Sequence, residues 1–186
     1  GDYGLSELDV NTYRSIFGFP LTDYYQKIGI DFESVSFAEL TDRWIPIYEK
    51  DSTTCIIHKG ILGLIEKLKR QNSNQSILSA YESDKLYRVV KKYGLSNYFT
   101  DIRGLPNDLG DGKIELGERS ISSWEKKISR SSTVYIGDTV HDADVAEAMQ
   151  VECILVSYGH QNRERLTATG CKVVDSVEEL SRVLIN

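Results

Sequence analysis

The sequence predicts an α/β protein: a Rossmann-like parallel sheet core joined to a small all-helical domain. Residues 55–186 alternate between short apolar runs of strand length and longer segments with helical periodicity. That alternation is typical of a parallel sheet with helices on both faces. Residues 1–54 show helical periodicity with few β-branched runs, which indicates helices without a sheet.

Three helical runs make up residues 1–54. Their apolar positions are Leu8, Tyr13, Ile16 and Phe17; then Tyr24, Tyr25 and Ile28; then Phe37, Leu40, Trp44, Ile45, Ile47 and Tyr48. The sequences Gly18-Phe19-Pro20 and Gly29-Ile30-Asp31 separate the runs as turns, because glycine and proline interrupt regular structure. We therefore expect the first domain to end near residue 54.

The second domain, residues 55–186, is predicted to alternate helix and strand throughout. The predicted helices cover 59–70, 84–93, 113–128, 142–149, 162–169 and 177–184, and the predicted strands cover 76–78, 99–102, 133–136, 153–156 and 172–174. Gly94 follows the second of these helices, as expected of a residue that ends a helix in the left-handed conformation.

Composition excludes several classes of function. The net charge of −6 and the isoelectric point near 5.1 argue against nucleic acid, which is bound through clustered Lys and Arg. No apolar run approaches the roughly 20 residues that span a bilayer, and the first residues lack the pattern of a secretory signal. Cys55, Cys153 and Cys171 are odd in number and lack metal-ligand spacing. They predict a reduced, cytoplasmic protein in which each thiol is a small buried side chain.

The segment Val134 to Asp142 carries the strongest chemical signal. A short apolar run ends in Gly137-Asp138, and Asp142 follows where a helix should begin. Two carboxylates so placed suit Mg²⁺, which prefers oxygen ligands and keeps several waters. The alternative for either residue alone is a helix cap or a partner of the helix dipole.

Two further polar side chains follow other strands of the predicted sheet. Ser79 comes directly after one strand, and Lys113 lies at a helix start after the region 107–112. Ligands of open α/β sheets bind beyond the carboxyl ends of the strands, so Ser79, Lys113 and Asp138 should meet at one rim. A hydroxyl, an ammonium and a carboxylate pair are the groups that a phosphate and its metal require.

The ordered set Leu78-Ser79-Ala80, Lys113 and Ile136-Gly137-Asp138-Thr139-x-x-Asp142 resembles three motifs of the haloacid dehalogenase (HAD) superfamily, and phosphoglycolate-phosphatase-like hydrolases most of all. Further resemblances extend along most of the chain. They are Tyr3-Gly4-Leu5, Phe17-Gly18-Phe19-Pro20, His58-Lys59-Gly60, Val174-Asp175-Ser176 and Glu179-Leu180. The resemblance implies that residues 1–54 are a helical cap, with its first helix incomplete, and that residues 55–186 are a HAD-like core.

The resemblance also implies roles for the site residues. Ser79, with the Ala80 N–H, would bind phosphoryl oxygens, and Lys113 would neutralise charge. Asp138 would ligate Mg²⁺, and Asp142 would be a ligand through water or would orient the metal shell. The substrate would be a small phosphorylated metabolite, and Arg14 and the Phe17–Pro20 turn are candidates for cap contacts.

One departure from the family concerns its first motif, an Asp-x-Asp-Gly-Thr after an opening strand, which holds the nucleophile and the general acid. The chain has no such motif, and Asp2 and Asp9 lie in what should be the cap. We expect the nucleophile upstream of Gly1 and the core to lack its first strand, with two strand edges left unpaired. Residues 1–186 alone should then be inactive.

Three alternatives stay open at this point. A haloacid dehalogenase would share the fold without a divalent metal, although the Asp138/Asp142 pair disfavours it. A phosphomutase would use the same phosphoryl chemistry. A catalytically inactive remnant or binding module would show no turnover even with upstream sequence restored.

Overall fold

The computed structural model describes residue 5 and residues 7–52, 54–107, 112–125 and 128–185. The helices are α1 (Val10–Ile16), α2 (Leu21–Lys27), α3 (Phe37–Ser52), α4 (Ile61–Arg70), α5 (Ser83–Lys92), α6 (Lys113–Trp124), α7 (Val140–Met149), α8 (Arg163–Thr167) and α9 (Val177–Ile185). The strands are β1 (Ser76–Glu82), β2 (Asp101–Leu105), β3 (Val134–Gly137), β4 (Glu152–Val156) and β5 (Lys172–Val174). The predicted α/β class with parallel strands is confirmed.

Aromatic side chains hold α1 and α2 together. The Phe17 ring lies 5.1 Å from Tyr13 and 5.2 Å from Tyr24, measured between ring centroids. Asp9 begins α1 because its carboxylate accepts the Asn11 and Thr12 N–H groups, as side chains at helix starts commonly do. Within the described part of the chain before residue 55, the regular elements are helical. The division into two domains at residue 54 stays a prediction.

The strands form two parallel sheets rather than one. In one sheet β1 pairs with β2, and in the other β4 lies between β3 and β5. Among the described residues, β1 and β3 each pair on one side only. Val134 and Ile136 on β3 are 36% and 43% exposed, which is high for apolar residues of a strand in an α/β core.

Helices α6 and α7 nevertheless connect the two sheets, because they pack against each other and each packs against one sheet. Helix α6 packs against β1, β2 and α7, and α7 packs against β3 and β4. Leu78 of β1 contacts the same apolar cluster as Tyr135 of β3 and Leu155 of β4. On the other side, Leu64 of α4 is buried in a second cluster. The cluster around Tyr135 therefore packs against both sheets.

Strand β1 bulges at residues 79–81, which include Ser79 and Ala80. Its register with β2 is regular from Ser76 to Leu78 and resumes at Glu82 opposite Leu105. Three residues of β1, 79–81, therefore lie opposite a single residue of β2, Gly104. A bulge of this kind changes the direction in which its side chains point. The expected strand was three residues long, and the longer β1 includes this bulge.

Some predicted details are wrong. The second strand was expected from residue 99 but begins at Asp101, and the helix expected over residues 113–128 ends at Trp124. All three cysteines were expected to be buried, but only Cys153 is; Cys55 is exposed and Cys171 is partly exposed. The described helices include none that is long and apolar enough to cross a membrane.

A Gly104→Ala substitution should test the packing at the bulge. An alanine Cβ at this position would lie 2.5 Å from the Tyr81 carbonyl oxygen and 2.8 Å from the Ser83 Cα. Backbone atoms cannot rotate away, so we expect a loss of about 1–3 kcal/mol in the free energy of unfolding, as for other overpacked sites. Urea unfolding of both proteins measures this difference.

Gly63→Ala is the matched control. Gly63 lies within α4 with no atom inside 4 Å of the added Cβ, and alanine favours a helix by about 0.5–1 kcal/mol over glycine. The control should therefore be neutral or stabilising. Equal destabilisation by both substitutions would contradict the close approach described at Gly104.

Candidate functional site

Asp138 lies where β3 meets α7, as the sequence predicts. Strand β3 ends at Gly137, and the half-buried Asp138 carboxylate follows it. Its Oδ2 accepts the backbone N–H of His160 at 2.7 Å. The neighbouring Gly159 makes this contact possible, because a Cβ there would lie 2.1 Å from Asp138 Oδ2. The loop after β4 thus orients the carboxylate through its main chain.

Asp142 is the third residue of α7 and is 3% exposed. Its Oδ2 accepts the N–H groups of Asp138 at 3.0 Å and Thr139 at 2.9 Å, and the Thr139 hydroxyl at 2.7 Å. Thr139 in turn accepts the Asp142 N–H, which completes a capping box, a reciprocal arrangement that satisfies the donors of a helix start. Gly137 is required beside it, because a Cβ there would lie 2.2 Å from the Asp142 Cβ.

Lys113 is brought to this carboxylate from another part of the chain. It is the first residue of α6, and its ammonium donates to Asp142 Oδ1 at 2.5 Å. The Tyr135 hydroxyl donates to the same oxygen at 3.3 Å, and the Lys113 Nζ lies 5.8 Å from the Tyr135 ring centroid. Residues 108–111 of the preceding loop lie outside the described residues.

Charge and burial compete at Asp142. Burial alone would raise the pKa of this carboxyl, but the Lys113 charge and hydrogen bonds from Lys113, Thr139 and the Asp138 N–H outweigh it and hold the pKa below its usual value. Burial, together with the nearby Asp142, raises the pKa of Tyr135. Tyr135 is therefore a neutral hydroxyl donor, and Asp142 is an ionised acceptor.

Ser79 and Ala80 lie in the bulge of β1, and both are half-buried. The Ser79 Oγ accepts the Tyr81 N–H at 3.1 Å. Leu78, directly before Ser79, packs against the cluster that contains Tyr135. The structure therefore joins Lys113 to Asp142, and Asp142 to the Asp138 N–H, by hydrogen bonds. That the Ser79 hydroxyl meets these groups stays a prediction.

Of the two early aspartates, the structure describes Asp9, which caps α1. Asp9 is exposed, and its two carboxylate oxygens accept hydrogen bonds from Asn11 and Thr12. Asp2 lies outside the described residues, as does Tyr3-Gly4. Searched over the described ranges, no group of three or more His, Cys, Asp and Glu side chains is arranged to hold a metal ion.

The Phe17–Pro20 turn docks against the loop after β4. The fully buried Gln161 links them, since its Oε1 accepts the Val140 N–H and its Nε2 donates to the Phe17 carbonyl, both at 2.8 Å. The ring of His160 lies 4.9 Å from that of Phe17. Arg14 donates to the Tyr158 carbonyl at 3.3 Å. The helical N-terminal region therefore contacts the segment that holds Asp138.

Sequence reasoning missed the loop residues Gly159, His160 and Gln161. A backbone N–H donor such as that of His160 leaves no side-chain signature in a sequence. The only available signal was the position of Gly159 soon after a predicted strand, where glycine often marks a close approach of two chain segments. Tyr135 was missed because its place in an apolar strand is equally that of a core residue.

Comparisons with known proteins agree on the fold. A family model described as haloacid dehalogenase-like hydrolase matches residues 1–156. A predicted phosphatase from Clostridium acetobutylicum is 22% identical with a TM-score of 0.72, over 88% of this chain and 76% of that one. A predicted phosphoglycolate phosphatase from Haemophilus somnus is 13% identical with a TM-score of 0.72, over 98% and 85%.

A third structural neighbour is protein tyrosine kinase A of Mycobacterium tuberculosis, which is 16% identical with a TM-score of 0.75 over 97% of this chain and 84% of that one. At these identities the solved structures establish the fold alone. No curated protein sequence matches the chain.

The effect of Asp142→Asn on the free energy of unfolding should depend on pH, because the substitution removes the ion pair between Lys113 and Asp142. The substitution leaves the mostly buried Lys113 ammonium without its ionised partner, which costs about 3–5 kcal/mol at neutral pH. Because folding lowers the pKa of Asp142, its contribution is present above the unfolded value of about 3.9 and is lost as the pH falls through the lower folded value. The gap between the two proteins should therefore shrink below about pH 4.

Urea unfolding at a series of pH values measures this gap. Asp144→Asn is the control, because Asp144 lies on the same helix with a side chain 55% exposed, and its loss should matter little at any pH. A wild-type to Asp142→Asn difference that stays constant from pH 7 to pH 3 would contradict the ion pair.

Proposed function

The chain belongs to the haloacid dehalogenase-like hydrolase family, and on that premise we propose that it is the cap and core of a Mg²⁺-dependent phosphatase that hydrolyses a small phosphorylated metabolite. The observation that carries the proposal is the contact of the Lys113 ammonium with Asp142, which lies beside Asp138. A phosphomonoester carries negative charge on its oxygens, and its hydrolysis depends on positioning and on neutralising that charge.

In this proposal the described side chains have separate tasks. The Ser79 hydroxyl and the Ala80 N–H would bind phosphoryl oxygens at the bulge of β1. Lys113 would offset their charge while it stays fixed by Asp142. Asp142 would act on orientation, because both its oxygens already accept protein donors. The described hydrogen bonds favour this over direct metal ligation by Asp142.

The residues present fit a hard divalent cation. Asp138 offers carboxylate oxygens, of which Oδ2 accepts the His160 N–H, and oxygen is the ligand that Mg²⁺ prefers. Asp138 would hold the ion, with Asp142 fixing the surrounding geometry. Mg²⁺ bound there would supply positive charge to the phosphoryl oxygens.

The nucleophile belongs to the proposal as an expected Asp upstream of Gly1. Its carboxylate would attack phosphorus, break the bond to the leaving oxygen and give a phosphoaspartate, which water then hydrolyses. The one-sided pairing of β1 and β3 and the exposed Val134 and Ile136 support a strand that carries this residue between the two sheets. Residues 1–186 alone should show no turnover.

The central test is phosphatase assay of the protein extended by its upstream coding sequence, with p-nitrophenyl phosphate as substrate. We expect turnover that requires Mg²⁺. Asp138→Asn should lower kcat/KM by about a hundredfold or more, as is usual when a group that stabilises transition-state charge is removed. Asp144→Asn, the control on the same helix, should keep the wild-type rate.

The other outcomes identify the alternatives. Release of halide from a haloacid without divalent metal would indicate a dehalogenase. Absence of turnover in the extended protein would indicate a binding module or an inactive remnant. Full Mg²⁺-dependent activity of Asp138→Asn would overturn the assignment of the metal ligand.

Gly159→Ala should separate metal binding from substrate binding. The added Cβ would displace the Asp138 carboxylate, so we expect the Mg²⁺ concentration for half-maximal activity to rise about tenfold or more, as when residues that orient a ligand are changed. At saturating Mg²⁺ the KM should stay near that of wild type. Gly63→Ala serves as the control, and an unchanged Mg²⁺ requirement in Gly159→Ala would contradict the role of the loop.

A further inference from the structure

His160 links the Asp138 carboxylate to the helical N-terminal region through two different groups. Its backbone N–H donates to Asp138 Oδ2 at 2.7 Å. Its ring nitrogen Nδ1 is hydrogen-bonded to the hydroxyl of Tyr13, on α1, at a distance of 2.7 Å. One residue of the loop after β4 therefore contacts the proposed metal ligand with its main chain and contacts α1 with its side chain.

Specific contacts, and not burial, fix the position of His160. The residue is exposed, although β4 before this loop is buried over residues 153–156. The His160 ring centroid lies 4.9 Å from that of Phe17 and 6.0 Å from that of Tyr13. Ring contacts of this kind tolerate a range of orientations, whereas a hydrogen bond weakens steeply when it is misaligned. The Tyr13 hydroxyl is therefore the group that fixes the direction of the His160 ring.

Helix α1 is itself attached to the segment that contains His160. The Arg14 carbonyl accepts the Asn162 N–H at 3.3 Å, and the Phe17 carbonyl accepts Arg165 Nη1 at 2.5 Å. Carbonyls at the end of a helix lack partners within the helix, so these donors satisfy groups that α1 leaves open. The end of α1 that carries Tyr13 is thereby docked on the segment after β4.

The surroundings of Tyr13 keep its hydroxyl neutral. Burial raises the pKa of Tyr13, and the nearby Tyr24 and Asp138 raise it further. A neutral phenol can donate a hydrogen bond to an imidazole nitrogen or accept one from it. The contact with His160 therefore places no second negative charge beside Asp138.

We propose that Tyr13 is a positioning residue for Asp138. The Tyr13 hydroxyl holds the His160 ring, and the ring holds the backbone N–H of His160 on the Asp138 carboxylate. Residues that orient a metal ligand in this way affect the affinity for the metal. Docking of the helical N-terminal region and Mg²⁺ binding at Asp138 would then favour each other to the same extent. This coupling to Mg²⁺ rests on the proposed function, whereas the chain of contacts from Tyr13 to Asp138 does not.

Amide exchange, measured by NMR without Mg²⁺ in the protein extended by its upstream coding sequence, tests the chain of contacts. Tyr13→Phe keeps the ring and removes the hydroxyl. We expect the His160 amide to exchange about three- to tenfold faster, which corresponds to the loss of one hydrogen bond. Tyr24→Phe is the matched control, because it removes a hydroxyl from the same aromatic group and leaves the His160 contact in place. The amide of the buried Leu155 on β4 reports any general loss of stability.

Calorimetric titration of the same proteins with Mg²⁺ tests the consequence for the metal. The dissociation constant should rise about tenfold in Tyr13→Phe and should keep its wild-type value in Tyr24→Phe. His160→Ala should weaken binding by at least the same factor. Adding Tyr13→Phe to His160→Ala should weaken binding no further, because both substitutions break the same contact.

Several results would overturn the positioning role. They are an unchanged His160 exchange rate in Tyr13→Phe, equal acceleration by Tyr24→Phe, faster exchange with an unchanged Mg²⁺ dissociation constant, and additive effects in the double variant. Wild-type protein that binds no Mg²⁺ would instead overturn the proposed function and with it the coupling to the metal. The metal-free exchange rates would still decide whether Tyr13 holds the loop.

Discussion

The buried ion pair of Lys113 and Asp142 is the interaction on which the rest of the site depends. It connects the first residue of α6 to the first turn of α7, two helices that follow different strands. Removing two charges from water costs free energy, and the cost is offset only when geometry and further hydrogen bonds are good. Here the Asp142 carboxylate accepts donors from Lys113, Tyr135, Asp138 and Thr139. The same carboxylate therefore caps a helix, fixes an ammonium and orients the chain at Asp138.

Because the Asp142 and Asp138 side chains lie close to the main chain, glycines stand beside them. Gly137 leaves room for the Asp142 side chain, and Gly159 leaves room for that of Asp138. The loop that contains Gly159 also receives the Phe17–Pro20 turn through Gln161. A movement of the helical N-terminal region would thus displace the loop residues His160 and Gln161, and His160 binds the Asp138 carboxylate. In the proposed function, this connection gives a physical route by which substrate contacts in that region would affect Asp138.

Much of the fold and part of the site could be predicted because they follow from side-chain pattern. Alternation of apolar runs located the strands, and a carboxylate three residues after Thr139 was placed correctly in the first turn of α7. The His160 N–H could not be predicted, because backbone donors are the same in every residue. The contact of Tyr135 with Asp142 could not be predicted either, because a tyrosine in an apolar strand is equally expected to be a core residue.

The chain lacks the first motif of the family, so two unpaired strand edges were expected, and in the described structure β1 and β3 each have one unpaired side. The proposed function requires that Ser79 and Lys113 bind one oxyanion beside Asp138. A crystal structure of the protein extended upstream, grown with tungstate and Mg²⁺, tests it most directly. We expect tungstate oxygens within hydrogen-bonding distance of both the Ser79 Oγ and the Lys113 Nζ. Tungstate bound elsewhere, with Ser79 and Lys113 on separate surfaces, would contradict it.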